Sequence, residues 1–224
     1  MPAKKASPKI EEKKSGYQGY KCYVTFHPSS VLEGGFQLEG RISEDLRRFS
    51  RGALLEPVQR LPDTRASIGF DTEYDSSGKL LTVGVADATS GAAFECGEFK
   101  KATPVVKKAK VLVGHSVAGD LDHLVRLGLA RDDWLRGINI RDSLLLARMY
   151  DENRGKGAYG LETLLLSEFN FSSWKDETAK LLKKTGNAAD WRPEQRIARC
   201  RLDAWATVVL AEHFEEKLND SARD

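Results

Sequence analysis

Hydrophobic and polar positions are most informative in Ser67–Tyr74 (SIGFDTEY), which reads as a β-strand. Ile68 and Phe70 flank the small Gly69 and mark a strand entering a core, while Asp71 and Glu73 sit at i and i+2. Strand side chains alternate, so these two carboxylates share one face about 7 Å apart. A turn at Asp75–Lys79 leads into Leu80–Ala86 (LLTVGVA), and Thr89-Ser90-Gly91 leads into Ala92–Cys96. Three runs joined by short turn-rich segments predict an antiparallel meander. The pattern then changes. A lysine-rich helical stretch over Thr103–Lys110 precedes Val111-Leu112-Val113-Gly114, an apolar run typical of a buried parallel strand. A helix is predicted over Val117–Leu127 and a brief strand at Ile138–Ile140. Helical patterns follow over Ser143–Tyr150, Leu161–Phe169, Asp176–Lys184 and Pro193–Leu218, with Pro193 suited to a first helical turn. A meander followed by alternating helices and strands predicts an α/β mixed sheet flanked by helices.

The N-terminal part reads differently. Residues 1–16 (MPAKKASPKIEEKKSG) hold almost nothing to bury and are expected to form a disordered basic tail. Residues 17–62 form an appendage and linker, with a strand at Tyr20–Phe26, a turn at Gly34-Gly35, a short helix at Ser43–Arg51 and a linker at Pro57–Thr64. Residues 63–220 then carry the α/β domain. Composition narrows the class without choosing a partner: 30% of residues are charged, 41% hydrophobic, and the net charge is +2. The three cysteines, Cys22, Cys96 and Cys200, are widely spaced and make no metal-ligand pattern, which fits a reducing compartment. No apolar run reaches membrane-span length, so the expectation is a soluble intracellular protein with no membrane contact.

Candidate chemistry lies in three places. Asp71 and Glu73 repel unless a cation sits between them, and oxygen ligands on a strand suit Mg²⁺ or Mn²⁺. The bland alternative makes Asp71 the start of a polar turn. In Gly114-His115-Ser116-Val117-Ala118-Gly119-Asp120, Asp120 falls in the first turns of a helix, where a carboxylate also serves the helix dipole. His115 at the strand end is equally suited to bonding backbone. On the last helix, Ile197, Cys200, Ala204, Val208 and Ala211 form an apolar stripe, and Asp203 borders it. An aspartate there is costly unless paired or bound to a cation. Arg199 at i−4 is the bland partner, although base before acid is the weaker order on a helix.

Asp71-Thr72-Glu73, then Gly114-His115 with Asp120 five residues after the histidine, then Asp203 in Leu-Asp-Ala-Trp-Ala-Thr, together resemble the DEDD 3′–5′ exonucleases. The closest likeness is to the proofreading domains of family-A DNA polymerases, and it spans about Ser67 to Phe214. Arg141-Asp142-Ser143 and Tyr159-Gly160-Leu161 resemble further segments of that family. The resemblance implies a ribonuclease H-like fold with a mixed five-stranded sheet, the meander plus parallel strands, flanked by helices. It implies that Asp71, Glu73, Asp120 and Asp203 hold two Mg²⁺ or Mn²⁺ ions for phosphodiester hydrolysis. Thr72, His115, Ser116 and Arg199 would touch substrate, and Arg199 would join the catalytic group. The implied partner is single-stranded nucleic acid or a 3′ end, DNA favoured, with a DNA polymerase as a candidate partner and proofreading as a candidate role.

The sequence departs from the family at three points. Ser116 stands where Asn is usual, and Gly119 where an aromatic is usual. The third motif carries Tyr four residues, or His five residues, before its aspartate, where this chain has Arg199 and Ala198. Guanidinium keeps its proton and cannot serve as a general base. The alternatives are therefore a nucleic-acid-binding module with weak or no catalysis, or an exonuclease-like domain that only docks a partner. Retention of all four carboxylates counts against the last. Lysines of 100–110 and basic residues of 180–196 are candidate phosphate contacts, with solvated helix faces as the plainer reading.

Overall fold

The computed structural model describes residues 56–63, 67–126, 128, 137–155, 157–169, 171, 174 and 187–223, all within one compact unit, Ala53–Asp224. The tail at 1–16, the strand at Tyr20–Phe26, the turn at Gly34-Gly35, and the helices at Ser43–Arg51 and Asp176–Lys184 lie outside the described residues.

The strands are β1 (Val58–Gln59), β2 (Ser67–Tyr74), β3 (Leu80–Ala86), β4 (Ser90–Glu95), β5 (Val111–Gly114) and β6 (Asn139–Asp142). The α-helices are α1 (Thr103–Lys108), α2 (Ala118–Arg126), α3 (Ser143–Tyr150), α4 (Leu161–Phe169) and α5 (Pro193–Ser221). The strands form one mixed sheet in the order β1-β4-β3-β2-β5-β6. β2, β3 and β4 make the expected antiparallel meander, and β5 and β6 continue it parallel to β2. Among the described residues the sheet has six strands, not five. The extra one is β1, which pairs parallel to β4 through Val58↔Ser90 and Gln59↔Gly91. Two residues are too few to display alternation, and Pro57 and Pro62 on either side give the stretch the look of a linker.

β4 starts at Ser90, inside the predicted turn, because Asp87 shapes that turn from below. Its carboxylate accepts from Thr89 N (2.7 Å), Ser90 N (2.7 Å) and Asp63 N (2.8 Å). Burial pushes this carboxyl up, but the hydrogen bonds from Thr89, Asp63 and Ser90 outweigh it and leave the group below its ordinary value.

The alternation of β2 sorts the molecule into two layers. Ile68 and Phe70 pack into a core with Val83, Val85, Leu112, Val106 of α1 and Leu124 of α2. Gly69, Asp71 and Glu73 face the other way, toward α5. Glycine is required on that side. A Cβ on Gly69 would lie 2.0 Å from the Ala204 carbonyl oxygen, and one on Gly84 would lie 2.3 Å from that of Cys200. Gly84 pairs directly with Asp71. The backbone of α5 therefore rests on bare strand backbone beside Asp71, and the Cys200 thiol donates to the Asp71 carbonyl (3.3 Å).

α5 is flanked on its other side by α3 and α4, so nearly every residue from Cys200 to Ala211 is buried, a wider burial than an apolar stripe predicts. Trp205 packs among Leu164, Leu165 and Leu210, and its Nε1–H donates to the Ala88 carbonyl (3.0 Å). No described helix is long and apolar enough to cross a membrane.

A buried ionic network ties α4 to α5. Glu168 takes Arg154 Nη2 at one oxygen (2.6 Å), and His213 Nε2 (2.9 Å) and Lys217 Nζ (2.8 Å) at the other. Burial alone would raise this carboxyl, but the bonds from His213, Lys217 and Arg154 hold it well below the usual carboxylate range. A depressed folded pKa gives stability that is full above the ordinary value of 4.5 and is lost as pH falls toward the folded pKa. Glu168→Gln should therefore cost about 3 kcal/mol near neutral pH, where it leaves three donors around an uncharged group. The deficit should shrink as urea unfolding is repeated well below pH 4.5. Gly69→Ala should cost about 3 kcal/mol or more, because backbone cannot yield to the new methyl. Gly119→Ala, with nothing within 4 Å of its Cβ, should be neutral or stabilising by up to about 1 kcal/mol in the same assay.

Candidate metal centre

β2, β5 and β6 run parallel, so their C-terminal ends open on one edge of the sheet, where α/β folds collect ligand-binding groups. The close seat of α5 on Gly69 and Gly84 carries Asp203 to this edge. One carboxylate oxygen from each of Asp71, Glu73 and Asp203 comes within 4.8 Å of the others. Asp203 is buried, and Asp71 and Glu73 are half-buried. The strand register slips just beyond, with Glu73 opposite Thr82 but Tyr74 opposite Leu80, an irregularity that bends the strand at the site.

Arg199, one turn before Asp203 on α5, enters the same cluster. Its Nε lies 2.9 Å from Glu73 Oε1 and 3.6 Å from Asp203 Oδ2. The guanidinium carbon sits 4.6 Å from the ring centroid of the buried Trp191. Trp174 donates its Nε1–H to Asp203 Oδ1 (2.8 Å) and fixes that carboxylate from the side. Neither tryptophan stands out in the sequence: each is isolated in a polar stretch, with no periodicity to mark it.

Asp120 stands outside the group of three. Thr72 projects from β2 toward the α2 layer, and its hydroxyl donates to Asp120 Oδ1. Burial above all, with the charges of Asp203 and Asp142, raises the Asp120 carboxyl to about 6 against the lowering effect of the Thr72 bonds. Asp203 and Asp120 thus influence each other electrostatically from opposite layers.

His115 and Ser116 belong to the loop between β5 and α2. Ser143 Oγ donates to the Gly114 carbonyl (3.2 Å) and contacts His115 Nδ1 (2.9 Å). Ser116 has a left-handed backbone (φ 60°). Asp142 holds it there: its carboxylate accepts from Ser116 N (3.0 Å), Val117 N (3.1 Å) and Leu144 N (2.9 Å). One side chain caps α3 and ties down the loop that delivers Asp120. The Asp-Ser start of α3 is a capping signal in the sequence, but its bonds to residues 116 and 117 are tertiary.

Asp71, Glu73, Asp203, Arg199, Thr72 and His115 all line one cleft of about 470 Å³, with Tyr74, Leu161 and Trp191 on its walls. Ser116 and Asp120 do not line it. Arg196 is committed elsewhere, to Glu95 Oε1 (2.6 Å) and the Trp191 carbonyl (2.5 Å). The oxygen-only donor set fits a hard divalent ion such as Mg²⁺ or Mn²⁺. The nearby Cys200 thiol does not compete, since burial pushes it well above its ordinary value and keeps it protonated. No protein-family model matches the chain, and no curated protein matches it.

Asp142→Ala should lower stability by about 1–3 kcal/mol, since three amides lose one acceptor. Proton exchange at the Ser116 and Val117 amides should rise more than exchange in the β2–β3 ladder. Equal acceleration in both would mean Asp142 has no local holding role.

Proposed function

We propose that the protein is a metal-dependent 3′–5′ exonuclease with a ribonuclease H-like fold. It acts on single-stranded nucleic acid or 3′ ends, DNA in preference to RNA. The observation that carries this reading is the meeting of Asp71, Glu73 and Asp203 at the rim of a cleft wide enough for a nucleotide. The strand order β4-β3-β2-β5-β6, with α5 across its face, is compatible with the fold. The direction of digestion, the preference for DNA and a polymerase partner rest on the resemblance of the motifs.

Asp71, Glu73 and Asp203 would hold the metal. A divalent ion bound there supplies charge stabilisation for the phosphoryl group and a nucleophile from water at neutral pH. Trp174 orients Asp203, and the bond from Thr72 fixes Asp120 behind the cluster. Arg199 cannot take a proton, but its fork of donors is shaped to grip a phosphate bidentately. Trp191 offers a flat apolar wall beside it.

The ion pair of Arg199 with Glu73 also favours a second reading, a nucleic-acid-binding module that cleaves slowly. Arg199 stands where the resembled family has its tyrosine, and it holds a residue needed for metal. Turnover separates the two readings.

The test is incubation of 5′-labelled single-stranded DNA and RNA with Mg²⁺ or Mn²⁺. A stepwise ladder from the 3′ end is expected, blocked by a 3′-phosphate and abolished by chelator. Asp71→Asn and Asp203→Asn should slow it on the order of 10²–10³-fold without loss of fold. Digestion undiminished in chelator would defeat the proposal. Nicking of a circular single strand would instead make the enzyme an endonuclease.

A further inference from the structure

We infer that Arg199 is the built-in counter-ion of the carboxylate cluster, standing in for one of two divalent ions, so that the resting site takes up a single Mg²⁺ or Mn²⁺ per chain in competition with the guanidinium. The inference rests on the metal reading above and concerns how that site is loaded. Three observations carry it.

The first is position. Arg199 bridges carboxylates from two elements, Glu73 on β2 and Asp203 on α5, and both belong to the metal-ligating group. A guanidinium 2.9 Å from Glu73 Oε1 stands in the space beside a ligand oxygen that a metal would approach.

The second is retention. The Arg199 side chain is 14% exposed and its guanidinium lies on the Trp191 face. Cation–π contact and two carboxylates hold it in the cluster rather than in solvent. The order of residues reinforces this: base four before acid is the poorer arrangement on a helix, and the shorter ion pair is with the strand residue. The pairing is therefore a tertiary feature of the site, not a by-product of helix spacing.

The third is charge. Three carboxylates and one guanidinium leave a formal charge of minus two, which one divalent ion neutralises. A second ion would face an adjacent fixed positive charge unless the arginine left.

The test is Mn²⁺ titration of the full chain by calorimetry and by electron paramagnetic resonance, with thermal melts at each Mn²⁺ level. Wild type should bind one ion. Arg199→Gln should either bind it about tenfold or more tightly or take up a second, as expected for deleting a unit charge a few ångströms away. Arg199→Lys, which keeps the charge but not the fork, should fall between them. Melting supplies an independent readout. Without metal, Arg199→Gln should melt below wild type, and Mn²⁺ should close that gap by raising the variant more. A merely structural arginine would leave the same gap with and without Mn²⁺. If Arg199→Gln does not fold, wild-type stoichiometry and the lysine variant decide.

Two ions on wild type, or equal affinity and an unchanged gap across the variants, would overturn the inference and leave the metal reading standing. No Mn²⁺ binding in wild type or any Arg199 variant would overturn both.

Discussion

The site depends on how closely α5 lies on the sheet. With Gly69 and Gly84 beneath it, the helix backbone comes near enough that any Cβ would strike the carbonyls of Ala204 or Cys200. Helix and strand normally keep apart by the width of their side chains, and here two positions have none. That missing width puts Asp203, on a helix, within reach of Asp71 and Glu73, on a strand. The same contact forces Asp71 into a half-buried setting and places it opposite a glycine rather than a packing partner. The helix is packed between the sheet on one side and α3 and α4 on the other. The geometry of the cluster is thus a result of core packing as much as of its own charges.

Much of this arrangement was legible in the chain. β2, β3, β5, α3 and α4 begin and end where hydrophobic pattern and turn residues predict, with the turn at Asp75–Lys79 separating β2 from β3. The same-face placement of Asp71 and Glu73 follows from strand alternation alone. Asp203 was conspicuous because an acid in LDAWATVVLA demands a reason. β1 was not legible, since two residues carry no period and the surrounding prolines argue against a strand. β6 runs two residues further than its apolar core, because pairing of Arg141 and Asp142 with β5 is a property of the sheet rather than of those side chains.

Partnerships were the least legible feature. Arg199 reads along the helix as a partner of Asp203, yet its shorter ion pair is with Glu73, over a hundred residues away. Trp174 and Trp191 touch the site through tertiary contacts that no local pattern announces. The grip of Asp142 on Ser116 and Val117 is likewise tertiary. Local rules find groups that are costly to bury; they do not say which distant group relieves the cost.

Arg199 changes what the carboxylates require of the fold. Like charges within 4.8 Å destabilise the protein unless something positive lies among them. Where an ion is the only source of positive charge, folding and metal occupancy are coupled, and the apo protein bears the repulsion. With a guanidinium ion-paired with Glu73, near Asp203 and over the Trp191 ring, part of that repulsion is offset by the chain itself. Trp174 lends a further donor to Asp203. A cluster arranged this way can persist without metal, which weakens the link between stability and ion binding.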